Sequence, residues 1–165
     1  MVEGRDTISG RPSEEIMEKL IQKVITIKKE AITKYDRIRS KSKFDHTIKI
    51  LDELIALEQR DIEILENAEV SPNIHYARKT GVAEDYEVLD HMISPDEKMV
   101  SDDPRTILAW SINKSDQIYK MAQILSEEYE DPDLKTMLQN IAQSELKRKN
   151  RISELYDDIV NRDYW

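Results

Sequence analysis

The chain has 165 residues, about one domain's worth, which favours a single core over two independent ones. Lys and Arg number 25 against 34 Asp and Glu, and the resulting net charge of −9 argues against binding to nucleic acid or anionic membranes, which needs clustered positive charge. Cysteine is absent, so disulfides, thiolate zinc sites, cysteine-ligated iron–sulfur clusters and cysteine nucleophiles are excluded. The opening MVEGRDTISG lacks the apolar core of a signal peptide, and no apolar stretch is long enough to span a bilayer. A soluble, cytoplasmic protein is expected.

Glycine and proline punctuate the chain sparsely. Neither occurs between Pro12 and Pro72, and after Pro104 only Pro132 interrupts. Residues 1–12 are expected to form a flexible N-terminal tail, followed by a four-helix bundle over 13–165. A first helix, about 13–41, opens at Ser13 with Glu14 and Glu15 in its first turn; its apolar seam reads Met17, Ile21, Val24, Lys28, Ala31, Tyr35, Ile38. The second, about 45–67, opens at Asp45 and carries Leu51, Leu54, Glu58, Asp61, Leu65, Ala68. An irregular connector, about 69–103, follows, with one short helix expected around 83–93. The third helix, about 104–129, has Pro104 behind Asp103, a good capping pair, and the seam Leu108, Ile112, Ser115, Tyr119, Ala122, Leu125, Tyr129. The fourth, about 132–161, is capped by Asp131 and carries Leu134, Leu138, Ile141, Glu145, Arg148, Ile152, Leu155, Ile159. The expected fold is all-α.

A shift of 87 residues lays the first helix pair over the second without a gap. Ile21 falls on Leu108, Ile38 on Leu125, Leu51 on Leu138, Leu54 on Ile141, and Leu65 on Ile152. Glu58 falls on Glu145, Asp61 on Arg148, and Lys28 on Ser115. The repeat predicts two similar hairpins, about 13–68 and 104–161, facing each other around a pseudo-two-fold axis. In this frame the first and third helices are expected to run parallel, as are the second and fourth, with the connector crossing the bundle.

Five seam positions hold ionised groups: Lys28, Glu58, Asp61, Glu145 and Arg148. All lie near the middle of their helices, so antiparallel packing brings them to one level. An unpaired buried charge costs many kcal/mol, so these groups are expected to meet one another, water or a metal. The bland alternative is a slipped frame that leaves them on the surface.

The run Asp131-Pro-Asp-Leu-Lys135, followed by Met137-Leu138, Ile141-Ala142 and Glu145, resembles the last helix of rubrerythrin-type ferritin-like proteins, where it ends in Glu-x-x-His. The stretch Ile27-Lys-Lys-Glu-Ala-Ile-Thr-Lys-Tyr35 is similar to their first helix, in which a metal-binding Glu stands seven residues before a Tyr. The resemblance spans all four helices, roughly 13–161. It implies a ferritin-like bundle in which two helices each give a Glu and two each give Glu-x-x-His to a pair of iron or manganese ions. Carried over by position, that ligand set is degraded. Lys28 takes the first Glu position; Glu58 remains, but Asp61 replaces its His. The third-helix position falls on Ser115, with Ile112 or Asn113 as alternative registers. Glu145 remains, and Arg148 replaces the last His.

Protonated Lys28 and Arg148 cannot ligate a cation, and each brings positive charge into the former metal space. The resemblance therefore implies a di-metal centre turned into a salt-bridge cluster, no cofactor, and a non-catalytic structural or interaction role. The alternative is an altered di-iron or di-manganese oxidoreductase or peroxidase. It would use Glu58, Asp61 and Glu145, or carboxylates off the seam such as Glu30, Asp116 and Glu53. A third reading is an unrelated partner-binding bundle. Tyr35 is expected to flank the charged layer. His46 is expected at a helix start in an exposed or capping role, while His75 and His91 lie in the connector. The terminal Tyr164 and Trp165 suggest packing on the bundle or on a second subunit, so a homodimer is one option.

Overall fold

A computed structural model describes residues 2–68 and 103–161, with side chains over 17–67 and 103–161. The described residues form four helices and no strand: α1 (Val2–Lys41), α2 (Asp45–Ala68), α3 (Pro104–Glu128) and α4 (Pro132–Asn161). The fold is an all-α four-helix bundle, as the seam pattern predicts. Residues 69–102 of the connector, the short helix expected within it, and Tyr164 and Trp165 lie outside the described residues.

Local chemistry sets the boundaries. Asp103 caps α3, its carboxylate accepting from the Arg105 backbone N–H at 2.9 Å ahead of Pro104. Asp131 does the same for α4, accepting from the N–H groups of Asp133 at 2.9 Å and Leu134 at 3.1 Å. Between α1 and α2 the chain turns within three residues, where the Ser42 hydroxyl accepts from the Phe44 N–H at 3.3 Å. One boundary is corrected: α1 starts at Val2, not at Ser13. A proline removes one hydrogen bond and crowds one carbonyl, which bends a helix without obliging it to end, and here the helix continues through Pro12.

The predicted seams form the core. Met17, Ile21, Val24, Ala31, Tyr35 and Ile38 of α1 are buried, as are Leu51, Leu54 and Leu65 of α2. Leu108, Ala122, Leu125 and Tyr129 on the α3 side join them with Leu134, Leu138, Ile152, Leu155 and Ile159 of α4. Helices α1 and α2 pack as one hairpin and α3 and α4 as another, with α1 against α3 and α2 against α4 across the interface.

The relative direction of the helices across that interface differs from the expectation. Along α2 and α4 the contacts run His46–Asp158, Glu53–Arg151 and Asp61–Ser144, so one number rises as the other falls. Helices α2 and α4 are therefore antiparallel. The short turns make each hairpin antiparallel, so α1 and α3 are antiparallel too, and the expected parallel pairing is wrong. The physical reason is the orientation of the two-fold axis, which lies across the helices and reverses the sense of every helix it relates. A sequence repeat carries no information about that orientation. Asp61 and Arg148, equivalent in the repeat, sit 2.6 Å apart, as residues beside such an axis must. Helices α2 and α3 then run parallel, which puts Ala68 and Pro104 at opposite ends of the bundle.

Candidate functional site

Helical periodicity brings Lys28 from α1, Glu58 and Asp61 from α2, and Glu145 and Arg148 from α4 to one level in the bundle. Glu58 and Asp61, like Glu145 and Arg148, are three residues apart and share a helix face. Lys28 is 2% exposed, Glu58 3%, and Glu145 and Arg148 1% each, so the charges are taken out of water. The slipped-frame alternative fails on that observation.

Each cation meets all three carboxylates. The Lys28 ammonium pairs with Glu145, lies 3.4 Å from Asp61 Oδ2, and lies 3.5 Å from Glu58 Oε2. Arg148 places Nε 2.5 Å from Glu58 Oε1, Nη1 2.8 Å from Glu145 Oε1, and Nη2 2.6 Å from Asp61 Oδ2. Only the Asp61 contact also has hydrogen-bond geometry; the Nε and Nη1 contacts are Coulombic, with their N–H vectors off the acceptors. Ser144 completes the set, its hydroxyl donating to Asp61 Oδ2 at 3.3 Å while accepting from Arg148 Nη2 at 3.3 Å.

Two positive and three negative groups leave an excess of one negative charge. Burial alone would strip the Lys28 proton, but the Glu145 and Glu58 carboxylates outweigh it and hold the ammonium above its usual range. Burial likewise opposes the charged Arg148, and the same carboxylates overcome it, so the guanidinium is held even more firmly protonated. Glu58 goes the other way: desolvation pushes its carboxyl above the usual range despite both cations. Asp61 has a side chain 17% exposed and pays less for burial, so Lys28 and Arg148 hold it below the usual carboxylate range. The Tyr35 phenol is fully buried beside this layer, and desolvation followed by the Glu58 charge keeps it neutral far above its usual value.

Helix α3 brings Ser111, Lys114 and Ser115 to the edge of this layer. Ser115 is buried and borders, with Lys28, Glu58, Glu145, Ser111 and Tyr35, a small cavity of about 10 Å³. Ile112 is half-buried and Asn113 exposed, so of the three registers it is Ser115 that faces the centre. The carboxylates off the seam stay outside: Asp116 pairs with Lys149 and Lys120, each at 2.8 Å, and Glu53 with Arg151 at 3.0 Å. Glu30 makes no ion pair with the cluster. His46 is exposed, with Nε2 3.4 Å from Asp158 Oδ2, while His75 and His91 lie outside the described residues.

Two residues went unnoticed in the sequence. Ser144 stands one turn before Arg148, and that spacing was the available signal. Lys114 is buried on α3, and its repeat partner Ile27, also buried, marks the position as interior.

The donor set does not fit two metal ions. Among the described residues no histidine reaches the layer, and Glu58, Asp61 and Glu145 are each engaged by both Lys28 and Arg148. Among the described residues, no group of three or more His, Asp or Glu side chains is arranged to hold a metal ion. No family model matches the chain, and neither a curated protein nor a solved structure matches it.

Proposed function

We propose that this chain is a ferritin-like bundle in which an ion-pair cluster stands where rubrerythrin-type relatives hold two metal ions, and that it acts non-catalytically, as a structural or interaction protein. One observation carries the reading: Lys28 and Arg148 lie buried among Glu58, Asp61 and Glu145, each touching all three carboxylates. The cluster supplies from within the chain the positive charge that a di-metal centre supplies in the family the sequence resembles. A cation entering this layer would have to displace two fixed ones, and Coulomb repulsion from both opposes it. The topology is compatible with the reading, because parallel α2 and α3 place Ala68 and Pro104 at opposite ends.

The test is metal content. Protein purified without chelator, incubated with Fe(II) or Mn(II) and dialysed, is expected to retain far less than one equivalent and to show no ferroxidase or peroxidase turnover. Retention of close to two metals per chain would overturn the reading in favour of an altered di-metal oxidoreductase.

A further inference from the structure

On the open side of the cluster, helices α2 and α4 part to form a groove of about 560 Å³, a volume typical of small-molecule sites. Its walls are apolar, with Leu57, Ile64 and Leu65 on α2 facing Met137 and Ile141 on α4. Leu57 and Ile64 are 40% and 47% exposed, among the few large aliphatic side chains of the described residues left so open. Both border this one groove.

Arg60 also lines the groove and lies between those two residues on the same helix face, three positions after Leu57 and four before Ile64. Its guanidinium makes no ion pair or hydrogen bond with any described residue. Lys28 and Asp61 reach the same end from below, but their charges are already met within the cluster. At this end Arg60 is the charged side chain that no described residue pairs, and it stands above a cluster with one excess negative charge. At the other end stands Asp133, in the first turn of α4, with a carboxylate that no described residue pairs. Ser144 and Asp133 are eleven residues apart along α4, which makes the groove roughly 16 Å long at the helical rise. Between the two ends, the Asn140 amide offers a donor and an acceptor without a described partner.

We propose that this groove binds a small amphipathic carboxylate, its head group on Arg60 and its alkyl body along Ile64, Ile141 and Met137. Arg60 offers the planar fork that a carboxylate accepts in two parallel hydrogen bonds. Asp133 repels an anionic head at the far end and so fixes the orientation, while an alkyl chain covers the exposed aliphatic side chains. The site does not depend on how the cluster is interpreted, because neither Arg60 nor Ile64 belongs to it.

Octanoate, octylammonium and octanol are the probes, titrated calorimetrically into the full chain. Octanoate is expected to bind saturably at one per chain, at least tenfold tighter than octylammonium. Arg60→Gln is expected to weaken octanoate about tenfold while leaving octanol unchanged, and Ile64→Glu to weaken both. Circular dichroism should show both variants folded, since each replaces an exposed side chain. Absence of saturable octanoate binding, equal affinity for octanoate and octylammonium, or an Arg60→Gln variant that binds octanoate normally would each overturn the site.

Discussion

Arg148→Ala tests whether the cluster holds the bundle together. The guanidinium is 1% exposed and touches Glu58, Asp61 and Glu145, so its removal leaves Lys28 alone against three carboxylates. The net charge of the layer goes from −1 to −2, and of its three carboxylates only Asp61, 17% exposed, is more than slightly open to solvent. Breaking a buried pair by removing one partner costs roughly 3–5 kcal/mol. For a chain of this size that corresponds to a fall in Tm of roughly 6–20 °C. Arg151→Ala is the control, since Arg151 bridges Glu53 and Glu154 in solvent and such surface pairs are worth about 1 kcal/mol or less. The two variants are compared by urea denaturation at pH 7 and again at about pH 4. A carboxylate orphaned in the interior has a folded-state pKa above its unfolded one. Its penalty is complete above the folded value and disappears as pH falls below the unfolded one. The Arg148→Ala deficit should therefore shrink at acid pH, and the Arg151→Ala difference should not behave this way. If Arg148→Ala stays within 1 kcal/mol of the parent at pH 7, the cluster is energetically idle and the reasoning fails.

Two further predictions concern the same layer. The Lys28 pKa is raised in the folded state, so its contribution is complete below the usual lysine value of 10.5 and lost as pH rises through the folded one. The stability gap between the parent and Lys28→Met should stay constant from pH 7 to about 10 and narrow above 10.5; a gap that narrows between pH 7 and 9 would mean that Lys28 is not held charged. The quadruple variant Lys28→Glu, Asp61→His, Ser115→Glu, Arg148→His restores four carboxylates and two imidazoles at the positions the resemblance assigns. It should retain close to two Mn(II) per chain through dialysis, and a folded variant that retains none would show that these positions do not form a di-metal ligand set.

Much of the fold was legible because burial imposes a period. Met17 to Ile38 and Leu134 to Ile159 recur at helical spacing, and nearly every position so marked is buried. The cluster was legible for the same reason, since a charge at a seam position is an exception that only pairing can sustain. The direction of one hairpin against the other was not legible. A residue's period records which face is covered, and the same covered face serves a parallel or an antiparallel neighbour. The polar contacts that fix the direction, Glu53–Arg151 and His46–Asp158, lie on partly exposed positions where many charges compete and no pattern singles out a partner. The start of α1 was not legible at Ser13 because a proline such as Pro12 is a breaker only on average.

The antiparallel arrangement also explains why the charges can coexist. With the two-fold axis across the helices, repeat-equivalent residues close to the axis face each other. Identical residues there would set like charges together, as they do for Glu58 and Glu145. The repeat departs from symmetry where that conflict arises. Asp61 faces Arg148 rather than a second carboxylate, and Lys28, whose repeat mate Ser115 is neutral, pairs with both glutamates. A fully symmetric layer of Glu58, Glu145 and two aspartates would carry four negative charges in the interior and need cations from solution. The substitutions that break the symmetry supply those cations covalently. This follows from Coulomb's law and the position of the axis, whatever the chain's ancestry.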